Sequence, residues 1–580
     1  MKERLYIFFS FLFLFIYFFL VFNTNFQGPD QPVYFAYTES VVEDGDLNVV
    51  NNIGDSNYFF PSGIKNVSKT YNFPDFHNHG GVLLWVPFYK GAKNLSYLSQ
   101  NLDLFNIKTK THIFIKQIIN CFMSFSTVIF GFFTLVLSFL LCNIFFSAKI
   151  SLFSTLIICF GTPFFYFLLY EVGNAQIIAS LFSVSSIWAA SFIIRMKKSH
   201  FLIYGLFFGI CLVVKADIWA QFFFICFLFA FLLKSKKTNL LNIVFFLLGL
   251  VPAITFKIIN DYIKYGTFHI GEINILTPHM SYLKEMLFSS YRGYLYTSPI
   301  LFICLVGFIL VLINYLKPII TISEANGNSD ALKRDIFILL LGSYLIIKIF
   351  IISRTYAWGG GTPGARVLLT EFPVFVLLFA RTISCKSNIK NLLIFTVSII
   401  FIFWNMLLIS EYLINIDLQN SLSAPKLLLR IKSIEKMFIF LFQVKDISIK
   451  LYFCLLLVPI VFIITCYILI VANKVKSSFW YKREGFNKKA FITLSVTAIT
   501  LNIFYGMITF SNVKNNKNNV NKLNNVGFFT TTKILSKRDY EKKENVGAMK
   551  EMILYFTYKG DIERAAKIQK DIKDIYGDDK

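Results

Sequence analysis

From Leu5 to Phe22 nearly every side chain is Phe, Leu or Ile, and this texture returns along the chain between short polar breaks. Runs of roughly 17 to 25 such residues cross ~30 Å of hydrocarbon as helices, because lipid offers the backbone no partner outside its own hydrogen-bond ladder. They fall near 5–22, 117–142, 150–170, 175–195, 200–215, 218–234, 239–257, 298–316, 335–353, 368–383, 391–411, 450–472 and 490–510. The pattern predicts an all-α polytopic membrane protein of about thirteen transmembrane helices. Between the first two spans lies a long polar stretch, residues 23–116. After the last span come the Asn/Lys-rich linker "SNVKNNKNNVNKLNN" and a segment whose alternating charges have helical periodicity. The expected division is a transmembrane domain over 1–510 and a linker with a small helical tail over 511–580.

Composition strengthens this picture. Of 580 residues, 56% are hydrophobic and 16% charged, and the mean hydropathy is +0.61, which excludes a soluble chain of this length. Lys2 and Arg4 give the first run the flanks of a signal peptide, but no small-residue cleavage site follows, so it is expected to persist as the first span. The net charge of +24 reads as topology rather than nucleic-acid affinity, since Lys and Arg collect in cytoplasmic loops of membrane proteins. With the N-terminus inside, "RMKKSH" (195–200), "KSKK" (234–237) and "NKVKSSFWYKREGFNKK" (473–489) all fall on the cytoplasmic side. The same alternation puts the 23–116 loop, the turn at Glu171, residues 258–297 and residues 353–367 outside. The nine cysteines lie in or beside apolar runs without CxxC spacing, which argues against a disulfide framework or a zinc site.

Candidate chemistry therefore gathers on the outer side. Asp30 follows the first span at the interface, where partial desolvation suits a general base; the alternative is a solvated loop carboxylate. His77 and His79, before Gly80 and Gly81, offer a metal or phosphate contact, or are interfacial turn residues. Glu171 stands alone at the tip of an apolar hairpin, and an acid so near the membrane is a functional candidate by default. Lys215 is a second such charge, unless it pairs with Asp217. Arg292, within "LKEMLFSSYRGYLYTSPI", and Arg366, after the glycines of "SRTYAWGGGTPGARVLLTEFP", could clamp a phosphate in bidentate geometry, or snorkel from a re-entrant turn.

In this order the stretches resemble the multispan glycosyltransferases that use polyprenyl-phosphate sugars, the GT-C class, and within it the protein O-mannosyltransferase and lipid A aminoarabinose transferase branch. That branch opens with an acidic pair and Tyr outside the first span, then a "DGDL" segment. Here these are Asp30-Gln31-Pro32-Val33-Tyr34 and Glu43-Asp44-Gly45-Asp46-Leu47. The likeness continues through His79-Gly80-Gly81, Pro87-Phe88-Tyr89, "GTPFFY" (161–166), "LFSSYRGYLYTSP" and "WGGGTPGAR" (358–366), covering residues up to about 375. Gln31 stands where many relatives carry a second acid, and Ala365 where Pro often precedes the Arg.

The resemblance implies an integral-membrane glycosyltransferase that moves one sugar, with inversion, from a polyprenyl-phosphate donor to a lipid, glycan or protein acceptor of the cell envelope. It implies Asp30 as catalytic base, Glu171 as second acid, and Arg292, Arg366 and Lys215 as holders of the donor phosphate. Tyr34, His77, His79 and Trp358 would belong to the substrate loop. No organic cofactor is implied and no nucleic-acid partner; a divalent metal stays open, with Gln31 removing one carboxylate that a hard cation would want. Rich use of Phe, Ile, Asn and Lys fits an AT-rich, most simply bacterial, genome, so the expected setting is a bacterial inner membrane with the site facing out. The competing classes are a transporter or flippase, which would carry inverted repeats and midplane charges, and a polysaccharide polymerase or ligase with a lipid-diphosphate donor.

Overall fold

The computed structural model describes residues 2–23, 30–47, 49, 80–101, 111–194, 200–215, 220–234, 240–265, 282–289, 293–320, 329–354, 366–384, 388–413, 458–464 and a few positions beyond. Its described part is helical apart from an antiparallel pairing of Val526–Gly527 with Thr530–Thr531, in which Val526 faces Thr531. Helix α1 runs Lys2–Val21, α2 Asp30–Glu39 and α3 Gly80–Asn101. Then follow α4 (Thr111–Phe145), α5 (Ala148–Gly161), α6 (Phe164–Leu169), α7 (Ala175–Ile194), α8 (His200–Val214), α9 (Gln221–Lys234) and α10 (Leu240–Tyr265). The short α11 (Leu283–Phe288) and α12 (Tyr294–Thr297) lead into α13 (Ile300–Ile320), α14 (Ser329–Ile352), α15 (Phe372–Ile383) and α16 (Asn388–Leu413).

Five helices are long and apolar enough to cross a membrane: Ile118–Phe145, Ala175–Ile193, Leu241–Ile263, Leu332–Ile352 and Leu392–Ile409. Shorter apolar helices cover Leu5–Val21, Ala148–Gly161, Phe201–Val214, Gln221–Lys234 and Ile300–Leu316. Two expected spans are interrupted. The 150–170 run breaks at Gly161-Thr162-Pro163 into α5 and α6, and 368–383 is a 3-10 helix, Arg366–Glu371, that passes into α15 with Pro373 in its first turn. Of the expected span 450–472 only 458–464 is described, and 490–510 and nearly all of the tail lie outside the described residues.

Lipid supplies no hydrophobic drive between helices, so close approach and satisfied polar groups hold such a bundle together. The α8–α10 crossing illustrates the first: a methyl group on Gly205 would fall 2.1 Å from the Phe246 carbonyl oxygen, and one on Gly249 2.3 Å from that of Leu202. Buried hydroxyls illustrate the second. Ser154, Thr155 and Thr162 return their protons to the carbonyls of Ile150, Ser151 and Ile158, one turn back. Aromatic rings fill the rest, as where Phe13 of α1 stacks on Phe462 at 4.4 Å.

Candidate functional site at one end of the bundle

The polar stretches meet at the end of the bundle where α1 finishes and α7 begins. Asn23, just past α1, donates its backbone N–H to the Leu169 carbonyl at 2.7 Å and its amide to that of Tyr170 at 3.4 Å. The turn that follows is built by its own side chains. Gly173 adopts φ 75°, a conformation that suits a residue without Cβ, and donates to Thr127 Oγ1 at 2.8 Å. Asn174 caps α7, its Oδ1 accepting the Gln176 N–H at 3.2 Å, while its amide donates to Glu171 Oε1 at 3.0 Å. Glu171 is buried and is thereby engaged in orienting the cap.

Three further elements lie against the start of α7. Ser180 Oγ donates to the Leu369 carbonyl of the 3-10 helix at 3.1 Å. A methyl on Gly81 of α3 would lie 3.7 Å from Ile178, and one on Gly80 2.7 Å from Val213 at the end of α8. The Gly80-Gly81 pair thus lets α3 press against both helices without side chains between. In the middle of this meeting point stands Gln176, 1% exposed, whose Oε1 and Nε2 both lack a partner among the described residues.

The opening segment is helical where the sequence suggested a loop. Tyr34 and Phe35 of α2 are buried against Trp85 and Tyr89 of α3, with ring centroids 5.3 Å and 5.7 Å apart. The "EDGDL" motif closes α2 as a π-helical turn, Ser40–Asp44, ended by Gly45 at φ 74°. Ser40 Oγ then donates to Asp46 Oδ1 at 2.7 Å. Tyr89 donates to Glu39 at 3.5 Å, and Lys93 pairs with Glu43. Burial, reinforced by the Glu39 and Glu43 carboxylates, raises the Tyr89 phenol well above its ordinary range, and the hydrogen bond from Glu43 raises the Lys93 ammonium.

On the other side of the 3-10 helix lies a charged cluster that sequence reasoning missed. Lys348 of α14 and Glu371 are both fully buried and 2.6 Å apart. Glu371 Oε1 also accepts from Tyr344 at 2.5 Å and from Thr370 at 3.0 Å, while Lys348 donates to Thr370 at 2.7 Å. The signal was a lone Lys in the apolar run "LIIKIFII". Asn405 of α16, also missed, donates to the carbonyls of Phe160 and Thr162 at 2.8 and 3.0 Å, holding the break between α5 and α6.

Of the residues expected at a site, Asp30 is the first residue of α2, Tyr34 packs on α3, Glu171 forms the turn, Lys215 directly follows α8, and Arg366 opens the 3-10 helix, half-buried. The structure brings the elements carrying Glu171, Lys215 and Arg366 together around the start of α7. Arg292, His77, His79, Trp358 and Asp217 lie outside the described residues. No group of three or more His, Cys, Asp or Glu side chains suited to a metal ion occurs among the described residues.

No family model and no curated protein matches the chain. Among solved structures, the chain is similar to ArnT from Cupriavidus metallidurans bound to undecaprenyl phosphate, at 13% identity and a TM-score of 0.44, over 81% of this chain and 76% of that one. A likeness of that degree carries no argument about activity.

Proposed function

We propose that the chain is an integral-membrane glycosyltransferase of GT-C type that moves one sugar from a polyprenyl phosphate, undecaprenyl phosphate in a bacterial setting, to an acceptor of the cell envelope at the outer face. The observation that carries this reading is the buried polar floor around α7. Stretches far apart in sequence converge there, and Gln176 keeps an amide donor and an acceptor open. A buried amide without partners costs free energy, so it is retained where a ligand completes it, and a sugar's hydroxyls supply both a donor and an acceptor. The motif order of the sequence, from the acidic opening to "WGGGTPGAR", supports the donor class.

In this mechanism Asp30 takes the proton of the acceptor hydroxyl or amine, which attacks the anomeric carbon from the face opposite the phosphate. The new bond to carbon forms as the bond from that carbon to the phosphate oxygen breaks. Positive charge builds on the ring and the electron pair leaves with the phosphate. Arg366, Arg292 and Lys215 stabilise that negative charge. Glu171 acts through Asn174 to fix the start of α7, and with it Gln176.

Asp30→Asn is expected to abolish transfer while the purified protein melts as the wild type does. The check is mass spectrometry of prenyl-linked sugars and envelope glycans in deletion and Asp30→Asn cells. One glycan should lose a defined sugar while its prenyl-phosphate donor accumulates in both strains. Unchanged donor and glycan in both would put a transporter in the place of the enzyme.

A further inference from the structure

The fully buried pair Lys348–Glu371 has no part in the mechanism above, and its burial is hard to explain by stability. Removing two charges from water costs more than their attraction returns unless the geometry is excellent, and a well-packed apolar pair of similar volume is commonly as stable. Glu371 also occupies the N-cap of α15, yet its side chain makes no cap hydrogen bond. It reaches sideways to α14 instead, where Lys348, Tyr344 and Thr370 all converge on one of its oxygens. Its other oxygen, Oε2, is buried without a partner among the described residues. The carboxylate therefore serves a connection between elements rather than its own helix.

What it connects is a short 3-10 helix, a form with poor hydrogen-bond geometry that does not hold a position unaided. Neighbours grip it at successive residues. Tyr294 of α12 donates to the Leu368 carbonyl at 3.4 Å, Ser180 of α7 to that of Leu369 at 3.1 Å, and Lys348 of α14 to both Thr370 and Glu371. The first residue of this segment is Arg366, and the glycine-rich stretch immediately precedes it. We infer that Lys348 and Glu371 are positioning residues: their buried ion pair locks the 3-10 helix to α14, so that Arg366 is held where a prenyl-linked phosphate binds. The inference rests on the donor reading proposed above for Arg366.

The test uses the full-length protein in nanodiscs, with undecaprenyl phosphate as the probe and undecaprenol, which lacks the phosphate, as its reference. Binding and melting temperature are measured for the wild type, Lys348→Met, Glu371→Gln and the double variant Lys348→Met/Glu371→Leu. The wild type should prefer undecaprenyl phosphate, and each single variant should bind it about tenfold more weakly, with undecaprenol binding unchanged. The double variant, free of uncompensated charge, should melt at or above the wild-type temperature and still show the tenfold loss, which a purely structural role would not produce. If the double variant folds and binds undecaprenyl phosphate as the wild type does, the positioning role is overturned while the donor reading stands. If the wild type shows no preference for the phosphate, the donor reading fails, and the proposed role of the pair falls with it.

Discussion

At the scale of single residues, the turn Glu171-Val172-Gly173-Asn174 shows how one acid can be spent on geometry. Its Oε1 is held by the Asn174 amide, whose oxygen in turn caps α7. Glu171→Gln leaves an oxygen able to accept that bond and should keep stability within about 0.5 kcal/mol and transfer within a few fold. Glu171→Leu leaves the Asn174 amide buried without its acceptor and should cost about 1–3 kcal/mol, with transfer falling as the start of α7 shifts. Melting curves and transfer rates of the two variants decide the matter, and a Gln variant that is stable but inactive would return Glu171 to the reacting groups. Lone charges beside apolar runs are visible in a sequence, which is why Glu171, Lys215 and Arg366 were legible. Lys348 obeyed the same rule but was eclipsed by the arginine-rich and glycine-rich stretches nearby. Gln176 and Asn405 carried no signal at all. An amide inside a helix looks like any other, and the partners of Asn405 are carbonyls more than 240 residues earlier in the chain.

At the scale of elements, the helical runs were legible because length and apolarity alone define them. The breaks were less so. Gly161-Thr162-Pro163 and Phe372-Pro373 sit inside apolar runs, and only the proline's missing donor and the Asn405 bonds fix where each helix stops. The opening segment misled in the other direction. Its acidic composition suggested a loop, yet the aromatic pairs Tyr34–Trp85 and Phe35–Tyr89 join α2 and α3 as packed helices. That joint should be sensitive to alkali. Tyr89 and Lys93 both have raised values in the folded protein, so the folded state holds protons that the unfolded state gives up from about pH 10. Their contribution is fully present below that pH and is lost as the pH rises through the raised values. Between pH 9 and 11 the wild type should lose melting temperature faster than Tyr89→Phe/Lys93→Met, in which neither group titrates. Parallel slopes for the two proteins would show that the joint does not depend on these protons.

At the scale of the whole molecule, charge is confined to the two ends. One end carries Glu171, Arg366 and, about a turn deeper, Lys348 with Glu371. The other carries Asp335 at the start of α14 with Arg334 at 2.8 Å and Arg381 of α15 at 3.4 Å, the Arg334 guanidinium lying over the Phe146 ring just beyond α4. Between them the polar side chains are mostly hydroxyls and amides rather than charges. This arrangement suits a reaction at an interface better than passage through the midplane, where a transporter needs its ionisable groups. It also makes sidedness testable, since the basic loops "RMKKSH" and "KSKK" predict which end faces the cytoplasm. Asn94, exposed on α3, belongs to the Glu171 end through the contacts of Gly80 and Gly81, while Lys236 lies in the loop between α9 and α10. In intact cells a membrane-impermeant thiol reagent should modify Asn94→Cys above the background of the native cysteines. Lys236→Cys should react only after the membrane is permeabilised. The reverse pattern would turn the polar floor toward the cytoplasm, where the acceptors of an envelope enzyme are not displayed, and the outer-face reaction would have to be abandoned even if sugar transfer itself were retained.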